Sequence, residues 1–247
     1  MKYNYQITIE YDGLNFVGWQ FQKNGISIQE IIEKNLKKIF KKKIKIIGAG
    51  RTDKGVHALG QSANFFIEQK IDNSIKFLNS INYFLKKKSI SIISIKKRKL
   101  DFNSRYNAKE RIYIYKIINR QSNLVINDNR AWLVKKKIDV NLLKKGAKLL
   151  EGKHDFSTFR ASTCSANSPV RKINKVKIKK KGELVLIEFN SKSFLQNQVR
   201  SMVGCLKYLS CKKWDLNKFK YAFKSKKRSL CAPPAPAFGL YLAKIKY

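Results

Sequence analysis

Residues 111–119 read Arg-Ile-Tyr-Ile-Tyr-Lys-Ile-Ile-Asn, and this alternation constrains the fold more than any other segment. In an extended chain, Tyr113, Tyr115 and Ile117 fall on one face and Ile112, Ile114 and Ile118 on the other. A strand that is apolar on both faces has to be covered on both, which places it centrally in a sheet. The rest of the chain must supply strands for its edges and helices for its faces.

It does so twice. In the first half, Tyr5, Ile7, Ile9 and Tyr11 alternate with polar residues and end at Asp12-Gly13, the pattern of a half-buried strand and its turn. Ser27-Ile28-Gln29-Glu30 forms a capping box that opens a helix with Ile28, Ile32, Leu36 and Phe40 on one face. Short strands are expected at Ile44–Ile47, Gln61–Ile67 and Ile90–Ile95, with a helix capped by Asp72 between the last two. In the second half, Asp139 caps a helix carrying Leu142, Leu143 and Leu150. A hairpin turns at Lys181-Gly182, two helices occupy Val199–Leu209 and Leu216–Phe223, and a last strand runs over Gly239–Ile245. The expected organisation is two α/β (α+β) halves, 1–104 and 105–247, with a cleft between them as the favoured place for a site.

Charge narrows the partner. The 247 residues hold 54 Lys and Arg against 16 Asp and Glu, a net +38. A field of that sign attracts polyanions and speeds their arrival, so nucleic acid leads the partner classes. Only ten of the basic residues are arginine, as expected where lysine has spread over tolerant surface, so the arginines carry more information. Hydrophobic residues at 43% indicate a packed globular chain. No apolar run approaches the roughly 18 residues of a membrane span, and the N-terminus lacks a secretory h-region. Cys164, Cys205, Cys211 and Cys231 show no CxxC spacing and stand at no ligand spacing to His57 or His154, so no metal is expected. The reading is a reduced, cytoplasmic protein with no membrane association.

One segment sets a carboxylate where an anion should arrive: Gly50-Arg51-Thr52-Asp53-Lys54-Gly55-Val56-His57-Ala58. Asp-x-Gly is a common turn, and a turn is the simplest role for Asp53. The glycine density argues for more, because it lets a planar ligand approach the backbone, and Arg51 offers a phosphate or base contact. GxxxxGK[ST] is absent, so this is no P-loop. A lone aspartate can act as a covalent nucleophile if it is buried and a cation keeps it ionised. Arg200 is the candidate cation, since it interrupts an otherwise apolar helix. Tyr113 and Tyr115 either pack in the core or stack on exposed bases.

Taken together the motifs resemble the TruA family of tRNA pseudouridine synthases. Gly50–Ala58 resembles its GRTDxGVHA signature. Tyr11-Asp12-Gly13 with Gly18-Trp19-Gln20 is similar to its first-strand motif, and Phe102-Asn103-Ser104-Arg105 with Arg111, Tyr113 and Tyr115 to its central strand. His154–Arg160 resembles HDFxxFR, Phe194–Gly204 the late helix and Gly239–Leu242 the final strand. The resemblance implies two ferredoxin-like, RRM-like halves sharing a continuous, mostly antiparallel sheet, with helices on one side and a central cleft. It implies isomerisation of uridine to pseudouridine at positions 38, 39 and 40 of the tRNA anticodon stem-loop, by a homodimer, with no cofactor. Asp53 would be the nucleophile, Tyr113 would stack on the target base, Arg51 would fill the space of the flipped nucleotide and Arg200 would pair with Asp53. Attack at C1′, attack at C6 and elimination to a glycal are all compatible with that role. Gln196 and Asn197 depart from the family, which often has aromatic or histidine residues there. A non-catalytic RNA-binding protein on the same scaffold and a ribosome-associated structural protein are the alternatives.

Overall fold

A computed structural model describes every residue from Met1 to Tyr247. The protein is a mixed α+β chain with ten strands, five α-helices and short 3₁₀ turns. It divides into one unit of Met1–Lys109 with Leu242–Tyr247, and a second of Glu110–Tyr241. No helix is long and apolar enough to cross a membrane.

The first unit runs β1 (Tyr3–Tyr11), α1 (Ile28–Phe40), β2 (Ile46–Gly48), β3 (His57–Ile67), α2 (Ser74–Leu85) and β4 (Ile90–Arg98). The strands lie in the order β4-β1-β3-β2 and every pair is antiparallel. That is the βαββαβ arrangement of a ferredoxin-like fold. The C-terminal strand β10 (Leu240–Lys246) also pairs with β3. Helix α1 begins where expected: the Ser27 hydroxyl accepts from Glu30 N–H at 3.2 Å. Glu30 turns its carboxylate to Lys34, one turn on, rather than back to the cap. Phe40 of α1, Phe65 of β3 and Phe77 of α2 meet with ring centroids 5.9–6.4 Å apart and bind both helices to one face of the sheet.

The second unit repeats the grammar with β5 (Glu110–Ile118), α3 (Val140–Leu149), β8 (Val170–Lys181), β9 (Leu184–Ser191) and α4 (Gln198–Ser210), in the sheet order β5-β9-β8. Inserted elements are β6 (Trp132–Leu133), β7 (Gly152–Asp155) and α5 (Leu216–Lys224). Strand β5 is central, as its alternation requires: β9 pairs along one edge from Arg111↔Ser191 to Ile118↔Leu184, and β6 lies parallel at Ile117↔Trp132. Its two faces differ, however. Tyr113, Tyr115 and Ile117 are buried, while on the other face Ile118 is buried and Ile112 and Ile114 are half-covered, so the first face carries more of the core.

Two local expectations are corrected. Asn73, not Asp72, caps α2 by accepting from Lys76 N–H at 2.9 Å, and Asp72 instead pairs with Lys70. An amide caps as well as a carboxylate, and adjacent Asp-Asn leaves the choice to the chain direction. The β8–β9 turn is Gly182-Glu183, because Lys181 and Leu184 already pair. Gly182, at φ +55, supplies the left-handed corner that a two-residue hairpin needs.

Candidate active site

The loop from Gly48 to His57 leaves β2 and enters β3, and residues remote in sequence fix both its ends. Ala49 N–H donates to Ser62 C=O at 2.7 Å and the Gln61 side-chain amide to Gly50 C=O at 2.7 Å. Thr52 turns inward, buried, with its hydroxyl 2.8 Å from that of Tyr11 at the end of β1. Its neighbours point the other way: Arg51 is exposed and Asp53 half-exposed. Asp53 C=O accepts from Val56 N–H at 3.1 Å, closing a turn in which Gly55 holds the third position at φ +77. A positive φ there defines a type II turn and favours glycine.

The segment after β1 clamps this turn from two sides. A Cβ on Gly13 would stand 2.0 Å from Val56 O, and one on Gly18 would stand 2.6 Å from Thr52 O, with Gly18 at φ +120. Trp19 N–H donates to Thr52 C=O at 3.1 Å, while Gly18 and Trp19 carbonyls accept from Ile28 and Gln29 N–H at the start of α1. The helix N-terminus thus holds residues 18–19, which hold residue 52. Buried His57 completes the clamp, its Nδ1 lying 3.0 Å from Asp12 Oδ1 and 3.2 Å from Gly13 N. Gly13 N–H donates to that nitrogen, which ties the turn after β1 to the start of β3. The backbone beside Asp53 is therefore preorganised, and Asp53 itself is half-buried in the turn where the sequence suggested a buried residue.

Tyr113 and Arg200 belong to the second unit. Tyr113 faces Phe189 across the β5–β9 ladder and meets the Phe194 ring edge-on at 5.2 Å and 86°. On the same face Arg111 is buried, its guanidinium donating to Lys192 C=O. Tyr115, two residues on, is fully buried and donates its hydroxyl to Pro236 C=O at 2.8 Å. Burial drives its pKa far up, opposed by the nearby Arg200 guanidinium, so the phenol stays neutral and a donor. Core packing is its role. Tyr115→Phe is expected to cost about 1–2 kcal/mol by leaving that carbonyl without its donor, read as a fall of a few degrees in Tm.

Arg200 lies in the first turn of α4, half-buried. Its Nε donates to Ala235 C=O at 2.8 Å and its Nη1 to Asn197 Oδ1 at 3.1 Å, while its own carbonyl accepts from Ala235 N–H at 3.0 Å. Asn197 precedes the helix in a left-handed conformation, φ +60, which asparagine tolerates better than most residues. Asn197 therefore holds the arginine. Of the four candidate site residues, Arg51 and Asp53 share the first-unit loop, and Tyr113 and Arg200 lie in the second unit. Sequence reasoning missed the clamp: Tyr11, Gly13, Gly18 and His57 lie within the motifs, yet nothing local shows what they touch.

A family model described as tRNA pseudouridine synthase matches residues 7–107 and 147–247. The chain belongs to the tRNA pseudouridine synthase family. Related chains agree over full length. The tRNA pseudouridine synthase A of Pelagibacter ubique (strain HTCC1062) is 55% identical over 245 residues, 99% of this chain and 100% of that one. That of Ehrlichia canis (strain Jake) is 43% identical, covering 98% of this chain and 99% of that one. That of Beijerinckia indica subsp. indica is 40% identical, covering 98% and 93%. The protein is thus an isomerase of the pseudouridine synthase class. The matched spans include Arg51, Asp53 and Arg200; Tyr113 lies between them.

Proposed function

We propose that this pseudouridine synthase converts uridine to pseudouridine at positions 38, 39 and 40 of the tRNA anticodon stem-loop, with Asp53 as nucleophile. The observation that carries the reading is the clamped turn: Gly13 and Gly18 meet the backbone on either side of Asp53, which stands half-buried between them. A rigid carboxylate at the edge of a basic chain suits a ligand that arrives as a polyanion and presents one nucleoside.

A base within a stem is out of reach, so the target nucleotide must be extruded at a cost of a few kcal/mol. We assign the vacated space to Arg51, which is exposed two residues before Asp53. The reaction breaks the N1–C1′ bond, turns the uracil and joins C1′ to C5, with the C5 hydrogen leaving as a proton. The detached base has to be held while it turns. We assign that to Tyr113, whose ring Phe194 fixes edge-on, and assign Arg200 to substrate binding through a guanidinium oriented by Ala235 and Asn197. We place the reaction in the cytoplasm, with a homodimer as the working form.

The test is to incubate unmodified tRNA with the protein and map pseudouridine by carbodiimide modification and primer extension. Stops at positions 38–40 are expected; stops confined to another arm would overturn the assignment. Affinity should be strongly salt-dependent, because lysine–phosphate contacts release counterions. With six or more such contacts, tRNA binding measured on filters falls about 10³-fold or more between 50 and 200 mM salt. A flat salt profile would show that the +38 charge does not face the RNA.

A further inference from the structure

Two cysteines of the second unit carry a property that the isomerisation does not use. Cys205, in the middle of α4, and Cys231, in the segment after α5, are reduced and stand with sulfurs 3.5 Å apart. Cys205 is buried, while Cys231 is partly exposed. Cys205 Sγ accepts from Ala232 N–H at 3.3 Å, and Arg228, three residues before Cys231, donates to the Ser201 hydroxyl at 2.8 Å. The thiols differ in acidity. The bond from Cys205 and the nearby Arg228 guanidinium draw Cys231 down against its burial, and the same bond together with burial keeps the proton on Cys205. A partly exposed thiol drawn down by its neighbours and backed by a second thiol in contact is the arrangement of an attacking and a resolving cysteine.

The residues just beyond Cys231 link the pair to the site. Ala235 grips Arg200 from both sides, by its carbonyl to Nε and its N–H to the arginine carbonyl, and Pro236 C=O holds the Tyr115 hydroxyl. The same segment is pinned to α4 where Gly204 meets it: a Cβ there would lie 2.1 Å from Pro233 O. We propose that Cys205 and Cys231 are a peroxide-sensitive thiol pair whose disulfide pulls the 231–236 segment out of register with Arg200. The Cys231 thiolate attacks one oxygen of hydrogen peroxide, the O–O bond breaks, and hydroxide leaves as water to give a sulfenic acid. The Cys205 sulfur then attacks the Cys231 sulfur, the S–O bond breaks and a second water leaves. Two thiols lose two protons and two electrons, and the peroxide takes them up. Bond formation shortens the 3.5 Å separation to about 2.05 Å, a movement of roughly 1.5 Å in a close-packed region.

The effect on turnover rests on the substrate-binding role proposed for Arg200; the chemistry of the pair does not. The reduced full-length protein would be treated with hydrogen peroxide, alkylated and mapped without reduction. The expected result is one peptide pair joined through Cys205 and Cys231, absent in Cys231→Ser. Turnover should fall on the order of 10²-fold, the scale of a 1 Å displacement in a preorganised site, and return with dithiothreitol, whereas Cys231→Ser keeps its activity under peroxide. Cys205 recovered as an alkylated free thiol after oxidation would overturn the pair, and a joined pair with undiminished turnover would overturn the switch. The crosslink is read by mass alone, so it decides the site whether or not the reduced protein acts on tRNA.

Discussion

Asp53→Asn is expected to leave a folded protein that binds tRNA within about twofold of wild type and has lost essentially all turnover, at least about 10⁴-fold, as when a nucleophile is removed from a preorganised site. The amide is isosteric with the carboxylate, and the backbone bonds of the turn do not run through the side chain. Asp53 C=O to Val56 N–H, Thr52 C=O to Trp19 N–H and the Thr52–Tyr11 hydroxyl pair are all untouched. The substitution removes the charge and keeps the shape. Removing a negative charge from a surface that meets phosphates cannot weaken RNA binding, so loss of activity with intact affinity isolates chemistry from binding. A melting temperature unchanged within a degree or two would confirm that the turn does not depend on the carboxylate.

Gly13→Ala should have the second-largest effect, although its Cα carries nothing reactive. The new methyl would stand 2.0 Å from Val56 O and 2.6 Å from Val56 C. Contact begins near 3.4 Å, so the strand end and the turn must separate by more than 1 Å, and backbone on both sides leaves no flexible side chain to yield. Overpacking of this kind costs about 1–3 kcal/mol, which a chain of this size survives. The displaced turn also carries Asp53 with it, and a shift near 1 Å lowers turnover on the order of 10²-fold. Measured together, a modest fall in Tm and a large fall in kcat would show that the clamp positions the carboxylate; a fall in Tm with kcat unchanged would show that it serves folding alone.

These expectations depend on contacts that sequence patterns carry unevenly. The strand-helix grammar is legible because each element announces itself locally: Ser27 and Asp139 cap where their neighbours require, and the two apolar faces of β5 mark it as central. The misplacements are single steps, Asn73 for Asp72 and Gly182-Glu183 for Lys181-Gly182, where adjacent residues compete on nearly equal terms. Within the site, glycine spacing flags the loop, while the tyrosines of β5, both buried, differ in what they touch. Tyr115 is sealed against Pro236, whereas Tyr113 keeps an edge-on partner in Phe194. The long-range pairings stay hidden. Gly13 and Gly18 meet the loop some 40 residues on, β10 returns from the C-terminus to β3, and Ala235 grips Arg200; no window of local sequence contains both partners. The same blindness conceals that Cys205 and Cys231 touch.

The most direct measurement is release of tritium from tRNA labelled at C5 of its uridines, with wild type beside Asp53→Asn. The C5 hydrogen is lost only when the new carbon–carbon bond forms there. Release by the wild-type protein and none by the variant is the predicted result. Equal release by both would remove Asp53 from the chemistry, and no release by a wild-type protein that binds the same tRNA tightly would contradict the assignment of the reaction itself.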